Sequence, residues 1–382
     1  MNYNRRKFIK VLWTSSLIFA VDIPLSGCNQ MPKKAILPWQ PTKHEDVRIS
    51  ILSYAILAPN PHNRQPWIVD LSIPEHIFLY CDSDRLLPET DPFSRQIFIG
   101  HGTFLEFLDV AASSLGYETK IDYFPEGEFD PKDVIDRPVA KIRLISAPER
   151  KKDPLFDTIL SRRSTKEPFS ETPLLDAHKN KLQLELNRSP FKSTVLTNSS
   201  LIKPLRELTL EAFKIEVYTP HTYQESIDLM RIGSDEVEAN PDGIDLLGAF
   251  NWWGQTFGLL NRESLVDPNS TAYKMGIDIY TEMLLSVHSF AWITSSQNNR
   301  TTQVKVGRTY ARLDLTAAQL GVKIHPVSQV LQEYSEMHGL QKKFLAMLQI
   351  PKGDTVQMLV RLGFAELPSP APRHPVQSFI KV

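Results

Sequence analysis

Only two of the 382 residues are cysteine, Cys28 and Cys81. That excludes a disulfide-stapled scaffold and a paired C-x-x-C metal site, so stability has to come from an apolar core. Neither sign of charge is in excess: 43 Lys and Arg stand against 44 Asp and Glu, a formal net charge of −1. A nucleic-acid partner recruited by a basic surface is therefore not expected, nor is an acidic solvated tail. Beyond residue 30 no apolar run is long enough to cross a bilayer. The sequence has no G-x-G-x-x-G fingerprint, since "GHGTFL" lacks the third glycine, and no P-loop or H-E-x-x-H. Its ten histidines do not cluster at ligand spacing, so no metal is expected, and His101, His288 and His338 read as core or surface residues.

What is present begins with an export signal. "NRRKFIK" places twin arginines before the apolar "VLWTSSLIFAV", and "LSGC" ends at Cys28. This order reads as a Tat-type signal with a lipobox over residues 1–28. Cleavage before Cys28 would leave its thiol for acylation. The expectation is a periplasmic or cell-surface lipoprotein that meets the membrane through its lipid anchor only. Residues 29–45 are polar and proline-bearing and read as a linker.

Periodicity then predicts a helix from Asp46 to Leu57, strands at "WIVDLS" and "HIFLYCD", a helix over 102–116 and a strand over 139–145. "SAPERKKDP" is a charged, proline-bounded break. It divides a first half, 46–150, from a second half, 151–382. The second half is expected to be mainly helical, with helices near 153–161 and 272–296, a buried strand over 357–364 and an extended, proline-rich tail. One internal repeat is visible. "GTFLEFLDVAASSLGY" (102–117) aligns without gaps on "GRTYARLDLTAAQLGV" (307–322), with six of sixteen positions identical, among them Gly102/Gly307 and Asp109/Asp314. Two copies of one fold, fused, are expected.

Two short stretches carry chemistry. "SRRSTKEPF" (161–169) sets Arg162, Arg163 and Lys166 around the hydroxyl of Ser164. Such a group suits a phosphate dianion, arginine offering forked donors and lysine a point charge; on this segment alone a solvated basic turn is the preferred reading. "APNPHNRQPW" (58–67) combines three prolines with Asn63 and Gln65, amides that both donate and accept. The prolines stiffen the loop, which reduces the entropy lost when it grips a ligand.

"RRSTKEPF" resembles the opening motif of the FMN-dependent nitroreductase superfamily. "APNPHNRQPW" is similar to that family's Pro-x-x-x-Asn-x-Gln-Pro-Trp loop, and "LQIPKGDTVQMLVRLGFAELPSPAPRHP" resembles its C-terminal strand with a following arginine. The set spans most of the mature chain. The resemblance implies an α+β, nitroreductase-like fold, mixed sheets flanked by helices, duplicated here in one chain as a monomeric pseudo-dimer. In the family the site lies between two subunits. Here the loop sits in the first half and the cationic motif in the second, and neither half carries both. One intact site and one degenerate site fit that distribution, as in the fused-dimer, Acg-like branch.

By match of motif, the resemblance implies that Arg162, Ser164 and Arg373 hold the FMN phosphate, with Arg163 either joining them or pointing outward. It implies Lys166 near flavin N1 and O2, Asn63 and Gln65 along the pyrimidine edge, and Pro326, Val327 and Ser328 beside N5. Trp67 reads as a packing anchor. "GIDLLGAFNWWGQTFGLLNRE" supplies Trp252, Trp253 and Phe257, either as a substrate platform or lid or as a helix buried in the fused interface. The expected function is an exported FMN-binding oxidoreductase that reduces a small planar acceptor, a nitroaromatic or a quinone. No catalytic side chain is required, because the flavin carries the redox chemistry. The alternative is a protein that holds FMN without turnover. The electron donor is not legible.

Overall fold

The computed structural model describes residues 30–130, 134 and 136–381, with the backbone but not the side chains of residues 249, 250, 252 and 253. The export signal expected over residues 1–28, with Cys28, lies outside the described residues.

Two four-stranded sheets organise the chain. In the first, β1 (Trp67–Asp70), β2 (His76–Cys81), β3 (Tyr117–Tyr123) and β4 (Ala140–Ser146) lie in the order β1-β2-β4-β3. In the second, β5 (Lys192–Thr197), β8 (Ser289–Ser295), β9 (Lys323–Pro326) and β10 (Thr355–Gly363) lie in the order β5-β8-β10-β9. The order is the same in both, and every named pair within them is antiparallel. Parallel pairing enters through the short pair β6 (Met230–Ile232) and β7 (Ile244–Leu246) and through single bridges at Val69/Ile380 and Ser164/Ile324. The Val69/Ile380 bridge matters for topology. The C-terminal tail crosses from the second half to the edge of the first sheet, where Lys381 N also donates to Val69 O at 2.7 Å.

Each half has one long central helix, Arg95–Ser114 and Arg300–Gln319, and the two pack against each other. They are buried on nearly all sides, which is why both sequences are apolar or small around much of the circumference. Val304, Ala311 and Leu315 of the second helix belong to the core built on the first sheet, while Ile99 of the first helix joins the core of the second sheet. Arg95 reaches Leu331 O (2.6 Å) and Gln357 O (2.9 Å) in the second half; Arg300 reaches Phe93 O (2.7 Å) and Asp130 O (3.3 Å) in the first. With the spacing of the sequence repeat, Arg95 and Arg300 are equivalent positions, so the halves grip each other reciprocally.

Several expectations are corrected. The first central helix starts at Arg95, seven residues before Gly102. β3, "YETKIDY", is absent from the sequence reading because its half-exposed alternation contains no continuous apolar run. The segment near 153–161 forms only a 3-10 turn, Phe156–Thr158, after Pro154. The long apolar run over 272–296 is two elements, a helix Thr271–Leu285 and the strand β8, whose seven residues are all buried. A strand covered on both faces loses its period of two, so periodicity cannot separate it from a helix. The linker reading also fails in part: Lys33–Ile36 is helical, Leu37–Trp39 is a 3-10 turn, and Trp39 is buried. Trp67 is the expected packing anchor, 1 % exposed and 5.0 Å from the Phe104 ring.

Candidate functional site

The "RRSTKEPF" segment runs along the edge of the second sheet. Ser164 bridges Ile324 of β9, and Thr165 N donates to Ile324 O at 3.3 Å. This course turns Arg162 inward, where it is 2 % exposed. Its Nη1 donates to Asp314 Oδ2 at 3.1 Å and to Ser164 Oγ at 3.2 Å. Asp314 is fully buried on the second central helix, and burial pushes its carboxyl up to about 6 although Arg162 pulls it down. Asp314 is one of the identical positions of the sequence repeat, but its counterpart Asp109 pairs with Arg150 and Arg308, so the repeat marks the residue without giving its partner.

Three guanidinium groups converge on one indole. Arg162, Arg163 and Arg373 place Cζ 5.9, 4.3 and 5.8 Å from the Trp39 ring. Such contacts are cation–π attractions, strengthened here by burial. Trp39 is held by its Nε1 donating to Ala371 O at 2.8 Å, and Arg373 N donates to Ala35 O at 2.8 Å. Among the described residues Asp314 is the only carboxylate in an ion pair with any of the three arginines. Burial, with Arg162 and Arg163 close by, lowers Arg373 to about 9. Three buried or half-buried cations against one carboxylate leave an excess of two positive charges. That matches a phosphate monoester dianion, and an uncompensated buried charge is costly without an anion.

Arg373 does not offer that anion a free N–H in this arrangement. Its Nε donates to Ile56 O, its Nη1 to Pro372 O and Asn63 Oδ1, and its Nη2 to Leu57 O and Ala58 O. All five donors have protein acceptors, so what the structure shows of Arg373 is a clamp on the loop that also adds charge to the cluster. Arg163 donates to Leu160 O and Arg162 O and stacks on Trp39, rather than pointing away.

The "APNPHNRQPW" loop meets this cluster through Asn63, whose Oδ1 accepts from Arg373 and whose Nδ2 donates to Pro372 O at 3.0 Å. His62, Asn63 and Gln65 all have positive φ, 47°, 53° and 52°. Such conformations cost of order 1 kcal/mol or more each outside glycine, so surrounding bonds have to impose them. They do: Gln65 N donates to Asn60 Oδ1 at 2.7 Å, and the fully buried Gln65 amide donates to Pro241 O (2.9 Å) and accepts from His374 N (3.0 Å). Gln65 is thus a clamp for the loop, its amide engaged within the protein. Asp242, beside Pro241, is held below the usual carboxylate range: burial raises it, but His374, Arg231 and Arg85 outweigh that.

Lys166 is the cation left open. It is exposed to solvent, yet protein surrounds it closely enough that burial lowers its pKa. No hydrogen bond or ion pair to its ammonium is found among the described residues; Asp245 is the nearby opposing charge. His62, whose Nδ1 is buried without a partner, is lowered to about 4 by burial and then by Lys166. His325 is depressed further by burial, Arg361 and Lys166. On the other flank, Pro326 has no N–H, and Val327 N donates to Leu359 O at 2.9 Å. Ser328 opens the 3-10 turn Gln329–Leu331. Trp252 and Trp253 have side chains outside the described residues, and Phe257 is exposed at the end of their helix. Two open surface grooves, of about 370 and 340 Å³, share none of these residues, so the site is defined by its chemistry and lies partly under the Trp39 segment.

No family model matches the chain. It is similar, at 25% identity over 343 residues, to a Mycobacterium tuberculosis protein named "Putative NAD(P)H nitroreductase acg". The match spans 88% of this chain and 96% of the relative. A second M. tuberculosis protein, "Putative NAD(P)H nitroreductase Rv3131", matches at 38% identity over 89 residues, 23% of this chain and 24% of the relative. Among solved structures, the FMN- and NADPH-dependent nitroreductase NfnB of a Sphigopyxis strain aligns with 60% of this chain and 98% of its own, at 12% identity and a TM-score of 0.37. The FMN-dependent NfnB of Mycobacterium smegmatis, in complex with NADPH, covers 59% and 96% at 14% identity and a TM-score of 0.36.

Proposed function

We propose that this chain is an FMN-binding oxidoreductase, exported and lipid-anchored at Cys28. The observation that carries the flavin reading is the meeting of Arg162, Arg163 and Arg373 on Trp39 with Asp314 as their single ion-paired carboxylate among the described residues. Arg162 and Ser164 would hold the phosphate, Arg373 and Arg163 would supply its field, and Lys166 would face the pyrimidine end of the ring. The full-length similarity to a protein named as a nitroreductase supports the same reading. When bound, FMN would supply two-electron transfer to a small planar acceptor, a nitroaromatic or a quinone. The protein's own part is to bind, orient and set the charge near the ring. Lys166 stabilises negative charge there more strongly than it would in water, because protein surrounds it.

A second reading has its own support. The Lys33–Trp39 segment folds over the arginines and buries Trp39, which favours slow release and hence a protein that holds FMN without turnover. An absorption spectrum of the purified mature chain, with and without added FMN, tests the flavin reading; a colourless protein that takes up none overturns it. Bleaching by NAD(P)H or a quinol, followed by recolouring with a nitroaromatic or quinone, supports the enzyme. Tightly held flavin inert to all of these leaves the holding protein. Export is tested by fractionation and by labelling with a fatty acid, which Cys28→Ser is expected to abolish.

A further inference from the structure

Arg361 lies in the middle of the apolar strand β10 and is fully buried. Its guanidinium has no carboxylate partner among the described residues. Its Nη2 instead grips the backbone on both sides of Lys166, donating to Thr165 O at 2.6 Å and Glu167 O at 3.0 Å. Its Nε donates to His325 Nδ1 at 3.1 Å, and its Nη1 to Met283 O at 3.4 Å. The guanidinium also stacks 4.2 Å from the Phe169 ring. That ring lies against Gly363, where a Cβ would fall 2.4 Å from it. One side chain therefore joins the segment that carries Lys166 to β9, which leads into Pro326 and Ser328. Burying an arginine without an anion is costly, and the sequence meets that cost at this one strand position.

We propose that Arg361 is the positioning residue for Lys166: its fork fixes the backbone either side of Lys166 and so sets where the ammonium stands, beside His62 and His325. The inference rests on the flavin-site reading above for its effect on electron acceptance, but not for the placement itself. A fork with fixed donor geometry can hold two carbonyls and an imidazole at once; a lysine at the same place would supply charge without that geometry.

The test compares the FMN-loaded wild type, Lys166→Met, Arg361→Gln and the double variant by flavin midpoint potential. Each single variant is expected to shift the potential in the negative direction, and the double variant no further than Lys166→Met alone. FMN content is expected to stay at the wild-type level in Arg361→Gln, since Arg162 is untouched. Additive shifts, an unchanged potential in Arg361→Gln, or loss of its flavin with the fold intact would each overturn the proposal. Arg361→Lys keeps the charge and loses the fork; it is expected to behave like Arg361→Gln, and a restored wild-type potential overturns the proposal. If Arg361→Gln does not fold, Arg361→Lys carries the comparison. A second arm needs no flavin. Lysine side-chain NMR titration of the flavin-free chain is expected to show Lys166, which burial lowers, rising toward the ordinary value of 10.5 in Arg361→Gln, as the freed segment leaves its fixed place against the surrounding protein. An unchanged titration overturns the placement. This arm separates failure of the Arg361 inference from failure of the flavin reading.

Discussion

Gly102 and Gly307 face each other where the two central helices cross. A Cβ added to Gly102 would lie 1.9 Å from Val304 O and 2.8 Å from Gly307 Cα; one added to Gly307 would lie 1.9 Å from Ile99 O and 2.8 Å from Gly102 Cα. Each clash is with the carbonyl three residues before the other glycine, so the contact is its own mirror under a local two-fold axis. With the shared strand order of the two sheets, this relationship makes the chain a pseudo-dimer built on one crossing point.

Alanine at either glycine is therefore expected to destabilise the whole chain, because backbone atoms cannot step aside. The cost should be at least the ~1–3 kcal/mol typical of overpacking, read as a lower denaturant midpoint. Gly276 is the contrast: it is helical, with nothing within 4 Å of an added Cβ. Gly276→Ala should stabilise by about 0.5–1 kcal/mol. Equal effects at Gly102 and Gly276 would remove the crossing from its central place.

Flavin retention should depend on Arg162 far more than on Arg163. Losing a buried, charged phosphate partner costs about 2–4 kcal/mol, or a rise of roughly 30- to 1,000-fold in Kd for Arg162→Ala. Arg163 is only half-buried and spends its Nη1 on Leu160 O and Arg162 O while its guanidinium stacks on Trp39, so Arg163→Ala should change Kd less than tenfold. Fluorescence titration with FMN decides; equal losses at the two positions would count against the assignment.

Gln65→Ala should weaken the fold whether or not FMN is present. The substitution leaves the buried acceptor of Pro241 and the donor of His374 without partners, at about 1–3 kcal/mol. A ligand-contacting role would instead show as a loss of FMN affinity with unchanged stability of the flavin-free chain.

Acid should destabilise the protein between pH 6.5 and 4. His101 is fully buried against Ile97 O and Tyr80 O, and burial lowers it from 6.5 to about 4. The unfolded chain therefore takes up a proton as pH falls through 6.5 while the native chain resists until about 4. Stability is full above 6.5 and declines on the way down to 4, by roughly 3 kcal/mol for this one group. His62 titrates in the same window. His101→Gln should flatten the slope of melting temperature against pH in that interval; an unaltered slope would show that His101 is not its source.

Much of the architecture was legible in the residues. The repeat at 102–117 and 307–322 located the two central helices and the glycines at their crossing, because close helix contact demands glycine on both sides. Apolar runs located β1, β2, β4 and β10, and prolines kept the tail extended. The edge strand β3 and the buried strand β8 were not legible: one alternates too weakly, the other has no polar face at all.

For the site, local chemistry picked out Arg162, Ser164, Lys166, Asn63 and Gln65, the family resemblance added Arg373, and the fold brings these residues or their segments to one seam. Which atoms face a ligand could not be read from spacing, since a donor's partner is set by chain segments far away in sequence. The tertiary structure alone decided that Arg373 and Gln65 are clamps, that Trp39 covers the arginines, and that Arg361 holds Lys166. Sequence fixes which groups exist and how they repeat; burial and long-range hydrogen bonding, which arise only when the two halves close on each other, determine which of those groups remain free to act.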